Sequence, residues 1–386
     1  MRDILVIGGG PAGSKVASLL AKDHDVLVIE EHDVPGRPMQ CTGLVSDEVL
    51  RLSGVKPTIL NGLYGANIFF PSGGNIAIRS KERKAVLIDR SEFDMLMAEK
   101  AKDAGAEHSY STKFLQHRVN NGKVTASTDK GSIETRMIIG ADGHNSKTAK
   151  SIPNNAPQEY VRGIQADIKK RADDREMLNI RIGSKIAPGF FSWEIPFGDM
   201  TRVGLCTSWD AGPPSEYLKA LMKTIGADDN DVVRKYSGII PLGGIRRTYA
   251  DNLLLIGDAA GQVKPISGGG LQPALRSSYC LSKTVNEAFD FNDVSGKFLS
   301  VYEKRWKDEV GKELKNGYRL RKMYTGMSDR DLNKIFSAAD NSNIKEILNG
   351  GDIDHPSDLL MPLMKDIVTA VRLTPLMLKA AVRSMK

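Results

Sequence analysis

The chain opens with two uninterrupted apolar runs, Ile4-Leu5-Val6-Ile7 and Val26-Leu27-Val28-Ile29. Runs this short without a polar break predict strands buried on both faces, as in a parallel sheet. Between them the chain reads as a glycine turn and a helix, with Pro11 near the helix start, where its missing N–H costs least. Comparable apolar runs end at Ile139 and span Leu253 to Ile256, each followed by glycine and aspartate. Elsewhere the period changes. Ala66–Phe70 and Asn75–Ile78 flank Pro71-Ser72-Gly73-Gly74 and predict a hairpin. Three more segments, NIRIG, GFFSWEIP and TRVGLC, read as strands, the last two joined across Phe197-Gly198-Asp199-Met200. Beyond residue 296 the pattern turns helical and stays so to the end. The fold class is therefore mixed α/β with added antiparallel sheet (α+β mixed).

Composition narrows the picture. With 386 residues, 41% hydrophobic and 26% charged, the chain is long enough for two or three domains and has the balance of a globular protein. No apolar run approaches the about 18 residues of a membrane span, and Met1-Arg2-Asp3 leads straight into a strand, so a cytoplasmic protein without a signal peptide is expected. The three cysteines, Cys41, Cys206 and Cys280, are far apart and the six histidines show no ligand spacing, so neither a disulfide framework nor a metal site is expected. The net charge of +7 is compatible with a solvated basic surface or with anionic headgroups. Lysine and arginine lack the interleaved aromatics of single-strand binders, which argues against nucleic acid.

Gly8, Gly10 and Gly13 fit G-x-G-x-x-G between the first strand and its helix. In that pattern the first glycine makes the turn, the second admits a pyrophosphate to the backbone, and the third lets helix and strand pack closely. The free N–H groups of the helix start would face the phosphate. Glu30, closing the second strand, is placed to accept hydrogen bonds from a ribose diol. This much does not separate NAD from FAD. Two later segments do. Gly140-Ala141-Asp142-Gly143 follows a strand, and Gly257-Asp258 follows another and leads to Gly268-Gly269-Gly270 before a helix. Asp258 can accept from a ribityl hydroxyl, and the glycine triplet can lay N–H groups against a flavin edge. A nicotinamide protein has no need of this third segment, so FAD is the expected cofactor.

In this order and spacing, GGGPAG…E, GADG and GD…P…GGG resemble the FAD-dependent hydroxylase-type superfamily. Within it the chain is most similar to the geranylgeranyl reductases, in particular the archaeal digeranylgeranylglycerophospholipid reductases. The similarity runs from the first strand to roughly residue 300. It implies FAD contacts for Gly13 and Glu30, for Cys41, Thr42 and Gly43 in QCTGL, for Arg90 in DRSEFD, and for Asp142, Asp258, Gly269, Gly270 and Leu271. Family members often carry a longer C-G-x-G at Cys41-Thr42-Gly43. Arg90 also makes sense from the residues alone, as a cation opening a helix where phosphate or the flavin ring can meet it; a surface salt bridge is the alternative.

These segments divide the chain into a discontinuous Rossmann-like FAD-binding domain (1–60, 85–150 and 245–295), an antiparallel-sheet, prenyl-binding substrate domain (61–84 and 151–244) and a C-terminal helical region (296–386). If residues 190–196 form a strand, Phe191, Trp193 and Ile195 share one face and Phe190, Ser192 and Glu194 the other. The corresponding family motif, P-x-x-Y-x-W-x-F-P, lines an isoprenoid tunnel. Here Phe191 replaces its tyrosine and Ile195 its phenylalanine. Flavin-dependent halogenases carry W-x-W-x-I-P, so a monooxygenase or halogenase acting on a hydrophobic aromatic is the alternative, as is plain sheet core.

The resemblance implies a reductase that hydrogenates geranylgeranyl double bonds on a diether phospholipid precursor, with Cys41 as the candidate catalytic thiol. Nothing resembles a second complete nicotinamide fold, so NAD(P)H bound transiently or a ferredoxin-like carrier remains open as electron donor. At the C terminus Leu376, Met377, Ala380, Ala381 and Met385 share one helical face and Lys379, Arg383 and Lys386 another. That profile suits a helix lying on an anionic membrane surface or one docked on the protein. The oligomeric state is left open, a monomer included.

Overall fold

Strand alternation decides where the first core forms. In the strand Arg2–Ile7, Ile4 and Val6 face one side and Leu5 and Ile7 the other. Ile4 and Val6 pack with Val16, Ala17 and Leu20 of the helix Pro11–Leu20 and with Leu281 and Val285 of the helix Leu271–Asp290. Leu5 and Ile7 pack instead with Phe114, Val124 and Ala126. Covered on both sides, these strands have no use for a polar position, which is why their runs are unbroken. The computed structural model, which describes residues 1–339 and Asp354, continues the parallel ladder in the order Glu107–Ser109, Val26–Ile29, Arg2–Ile7, Gly131–Gly140, Leu253–Leu255. An antiparallel meander, Phe114–Asn120 and Lys123–Thr128, extends from the strand Gly131–Gly140 and supplies the second covering layer.

A second sheet has seven strands, five of them built between Gly140 and Leu253 and two contributed earlier by residues 65–79. Its order is Val232–Leu242, Glu159–Ile168, Met200–Ser208, Phe191–Phe197, Met177–Ile182, Gly65–Phe69, Asn75–Arg79. The expectation of an antiparallel sheet holds for every pair but one: Met177–Ile182 runs parallel to Gly65–Phe69. A parallel pair needs a long crossover, and here four of the first sheet's eight strands lie between the two in sequence. One face of the second sheet, through Ala166, Ile168, Val203 and Leu205, packs on Leu218, Leu221 and Met222 of the helix Pro214–Thr224. The alternate residues, Gly163, Gln165, Asp167, Arg202, Gly204 and Cys206, therefore face the opposite way.

A small third sheet pairs Ala85–Ile88 with Leu44–Val45 and Ile59–Leu63. The strand before Arg90 thus belongs here and not to the parallel ladder. Helices Gly296–Trp306, Lys312–Thr325 and Asp329–Ala339 follow, the first two joined through a π-helical turn, Lys307–Gly311. Tyr302 and Trp306 are buried in the first core. The amphipathic stretch after Pro375 lies outside the described residues. Among the described residues no helix is long and apolar enough to cross a membrane.

Candidate cofactor and active site

Where the two large sheets meet, a cavity of about 800 Å³ opens between them. That is within the range of small-molecule and cofactor sites. Gly8, Gly10, Glu30, Cys41, Thr42, Arg90, Asp142, Phe191, Trp193, Ile195, Asp258, Gly269, Gly270 and Leu271 all contribute to its wall. Gly13 and Gly43 stand behind the wall, where each allows a close backbone approach.

At one end, Gly10 caps the helix Pro11–Leu20 with no side-chain partner for the free N–H groups. A Cβ added at Gly10 would meet nothing within 4 Å. This is a cradle with open donors and space for a phosphate. Glu30 follows the second strand, and its carboxylate accepts from Gly9 N (2.7 Å) and from His32 N and Nδ1. Those bonds hold it at the lip of the glycine turn. Asp142 behaves differently. Its two oxygens accept from Ser146 Oγ, Thr148 Oγ1, Lys147 N and Thr148 N. Four donors fill the acceptor capacity of a carboxylate, so Asp142 shapes its own loop and has no lone pair left over for a ligand.

Asp258 follows the strand Leu253–Leu255 at the start of a 3₁₀ turn, Gly257–Ala260. Among the described residues no hydrogen bond to its side chain is formed. The turn is braced from below: Gly257 N donates to Gln262 Oε1 (2.9 Å), Gln262 Nε2 to Tyr302 Oη (3.0 Å), and Tyr302 Oη to the Leu255 carbonyl (3.0 Å). Burial pushes the Asp258 carboxyl up to about 6, with Arg90 opposing. A folded value above the unfolded value of about 4 gives stability present below that pH and lost as pH rises through about 6. In FAD-free protein, Asp258→Asn is expected to gain on the order of 2 kcal/mol over wild type near neutral pH and nothing near pH 4. Urea denaturation at the two pH values measures the difference, and an equal gain at both would remove the carboxyl from this role.

The middle of the cavity is polar and tightly bonded. Arg90 opens the helix Arg90–Asp103, capped by Asp89. Its Nε and Nη2 each reach an Asp94 oxygen at 2.9 Å. The pair is buried, so the surface alternative does not hold. Burial opposes the charge, yet Asp94 and the neighbouring Cys41 hold the Arg90 guanidinium above its usual value. Cys41 itself is half-buried, and Gly43 N donates to its Sγ at 3.5 Å. Thr42 turns towards the second sheet: its Oγ1 donates to Gln165 Oε1 (3.0 Å) and its carbonyl accepts from Arg202 Nη1 (2.6 Å).

The far wall is aromatic. Phe191 and Trp193 meet edge to face with centroids 6.1 Å apart, and Ile195 is fully buried beside them among Leu63, Leu87 and Phe197. The strand begins only at Phe191, so alternation does not govern Phe190. Instead of facing away, Phe190 stacks on Phe191 at 4.6 Å and lines the same cavity. Tyr324 donates to its carbonyl and Arg321 Nη1 to the Gly189 carbonyl (3.0 Å), so a C-terminal helix fixes the strand entrance. Ser192 and Glu194 do face the other side, where Glu194 pairs with Arg181 at 2.8 Å. Cys206 lies under the wall, its thiol pushed up to about 12 by burial, which makes it a packing group.

Several buried polar residues on or just behind the wall carry no motif. Asp167, Gln165, Arg202 and Tyr236 form a buried polar network, and Lys264 underlies Gly269 while paired with Asp354 at 2.6 Å. The available signal is charge within a strand: Asp167 and Arg202 interrupt the apolar segments QADI and TRVGLC.

A dinucleotide cradle on a parallel sheet, roofed by a second sheet with an apolar wall, is the architecture of a Rossmann-type flavoprotein, and this chain is an FAD-dependent oxidoreductase. It belongs to the lycopene cyclase protein family, which matches residues 3–349. Digeranylgeranylglycerophospholipid reductase 2 of Methanothermobacter thermautotrophicus is 29% identical, covering 96% of this chain and 98% of the relative. Its counterpart in Methanopyrus kandleri is 29% identical, covering 91% and 93%. A solved structure, the geranylgeranyl bacteriochlorophyll reductase-like protein of Thermoplasma acidophilum, superposes with a TM-score of 0.84 at 25% identity, covering 97% of this chain and 99% of that one. The halogenase PltM in complex with FAD shares the fold at a TM-score of 0.70 and 15% identity, covering 99% of this chain and 94% of that one.

Proposed function

We propose that this chain hydrogenates the double bonds of geranylgeranyl chains on an archaeal-type diether phospholipid precursor. One observation carries the reading: the phosphate cradle at Gly10, the Cys41 loop and the wall of Phe190, Phe191, Trp193 and Ile195 share a single cavity. The names of the relatives support the lipid class. An isolated trisubstituted alkene is a poor hydride acceptor, so its reduction needs a dry, shaped slot and a proton donor.

The residues divide this work. The Gly8–Gly13 turn, Glu30, Arg90, Asp258 and the Gly268–Leu271 main chain would hold FAD, which when reduced supplies a hydride. Phe190, Phe191, Trp193 and Ile195 exclude water and lay the prenyl chain along one wall. Cys41 Sγ, at the seam between cradle and wall, carries the proton for the alkene carbon that does not receive hydride. Hydride and proton together add two hydrogens across each double bond.

Anaerobic protein reduced with dithionite and mixed with digeranylgeranylglyceryl phospholipid is expected to yield lipid heavier by two hydrogens per reduced bond, read by mass spectrometry. Dithionite makes the assay independent of the natural electron donor. Lipid of unchanged mass, with flavin that reoxidises only on admitting oxygen, would overturn the proposal and favour an oxygen-using enzyme.

A further inference from the structure

We infer that Arg202 is a positioning residue that fixes the Cys41–Gly43 loop against the substrate sheet, an inference that rests on Cys41 acting at the substrate.

Asp167 and Arg202 stand directly opposite each other across neighbouring antiparallel strands, on the sheet face that looks into the cavity. Their side chains are 9% and 4% exposed. Arg202 Nε and Nη2 reach the two Asp167 oxygens at 2.7 and 3.0 Å, and Tyr236 Oη donates to Asp167 at 2.8 Å. A buried ion pair of this kind is costly to desolvate, and an apolar pair would fill the same place with no such cost. What an apolar pair would not do is reach the loop. Arg202 Nη1 donates to the Thr42 carbonyl at 2.6 Å while the other two nitrogens stay on Asp167. A planar fork can serve both directions at once, whereas a lysine ammonium is a compact point charge.

The loop is pinned from more than one direction. Gln165, two residues from Asp167 on the same strand face, accepts from Thr42 Oγ1 at 3.0 Å. Gly43 has φ +80°, and a Cβ there would lie 2.7 Å from the Ile88 carbonyl, 3.4 Å from Arg90 Cγ and 3.7 Å from Arg202 Nη1. The short segment carrying Cys41 is thus held between Arg90, on the helix beside the cofactor cradle, and Arg202, on the substrate sheet. Arg202 lies outside the cradle and does not line the cavity; it stands across the sheet from Ile195, at the buried end of the apolar wall, and from there reaches the loop between wall and cradle.

The test uses full-length, FAD-loaded Arg202→Lys and Gln165→Leu. Both are expected to keep wild-type FAD content, because neither residue belongs to the glycine cradles. Alkylation of Cys41 by iodoacetamide, followed by peptide mass spectrometry to separate it from Cys206 and Cys280, is expected to quicken about tenfold as the loop loosens. With lipid, kcat is expected to fall about 100-fold for Arg202→Lys while KM stays within about threefold, the pattern of lost orientation. Wild-type alkylation and kcat in both variants would overturn the inference, as would lower FAD content and lower rate with unchanged alkylation. Should Arg202→Lys fail to fold, Gln165→Leu leaves the ion pair intact and still decides the question. Should wild type leave the lipid unreduced, the substrate reading fails alone, and the alkylation rates still report on the loop.

Discussion

Replacing Gly13 by alanine is expected to leave no stable FAD-loaded protein, whereas replacing Gly10 is expected to leave a folded protein that binds FAD poorly. The two glycines belong to one turn but face different things. A Cβ at Gly13 would sit 2.0 Å from the Gly8 carbonyl oxygen and 3.2 Å from Ala141 Cβ. The first obstacle is backbone, and both neighbours follow strands of the parallel ladder, so little can move aside. Overpacking against a fixed main chain costs about 3 kcal/mol or more here. Gly10 has φ −68° and ψ −179°, open to any residue, and its added Cβ would touch no protein atom within 4 Å. The methyl group would occupy only cradle space in front of the helix. Thermal melting of FAD-free protein should therefore show Gly10→Ala within about 2 °C of wild type and Gly13→Ala many degrees lower. FAD titration should show Gly10→Ala weakened about 100-fold. Wild-type FAD affinity in Gly10→Ala would mean that the phosphate does not approach this turn.

The same contrast shows what sequence can and cannot reveal. The parallel strands were legible because burial on both faces leaves an unbroken apolar run, and the glycine turn because close approach admits a single residue type. Glu30 and Asp258 followed from their places at strand ends. Strands with mixed surroundings were harder. Lys123–Thr128 alternates Val124 and Ala126 with lysine, threonine and serine, a pattern too weak to announce a covering layer. The parallel pairing of Gly65–Phe69 with Met177–Ile182 joins residues far apart in sequence, and no local period records it. Strand alternation sends Phe190 to the wrong side because the strand starts one residue later, at Phe191. The motif around Asp142 makes a ligand-facing acid visible, but not the four donors from its own loop that occupy it.

Arg202 and Asp167 are the instructive omission. In a one-dimensional reading each is a single charge in a strand, and most such charges lie on a solvated face. Only the register, which sets them opposite each other on the face turned from the helix Pro214–Thr224, reveals a buried pair. The residues that align a reactive group need not carry a family motif, since their constraint is geometric and is shared among several side chains.

The second large effect is expected at Trp193. Across the sheet Trp193 faces Gly204, and a Cβ on Gly204 would lie 2.6 Å from Cε2 and Cζ2 of the indole. The ring therefore lies flat on a strand stripped of its side chain, with Phe191 at its edge. Trp193→Ala removes this surface and opens the slot to water. Trp193 is half-buried, so the loss of stability falls near the low end of the about 3–5 kcal/mol usual for such truncations. FAD content should be retained, because the glycine cradles and Arg90 lie on other elements. Reduction of the prenyl lipid should fall about 100-fold, since an alkene displaced by roughly 1 Å from its reactive placement loses that much. Trp193→Phe keeps an aromatic face and should keep most of the rate. Gly204→Ala offers the converse, lifting an intact indole into the cavity and pressing on Gln165 Cβ, also 2.6 Å away; it should slow the lipid while leaving FAD binding unchanged. If Trp193→Ala and Gly204→Ala both reduce the lipid at the wild-type rate, the aromatic strand is sheet core and the substrate runs elsewhere.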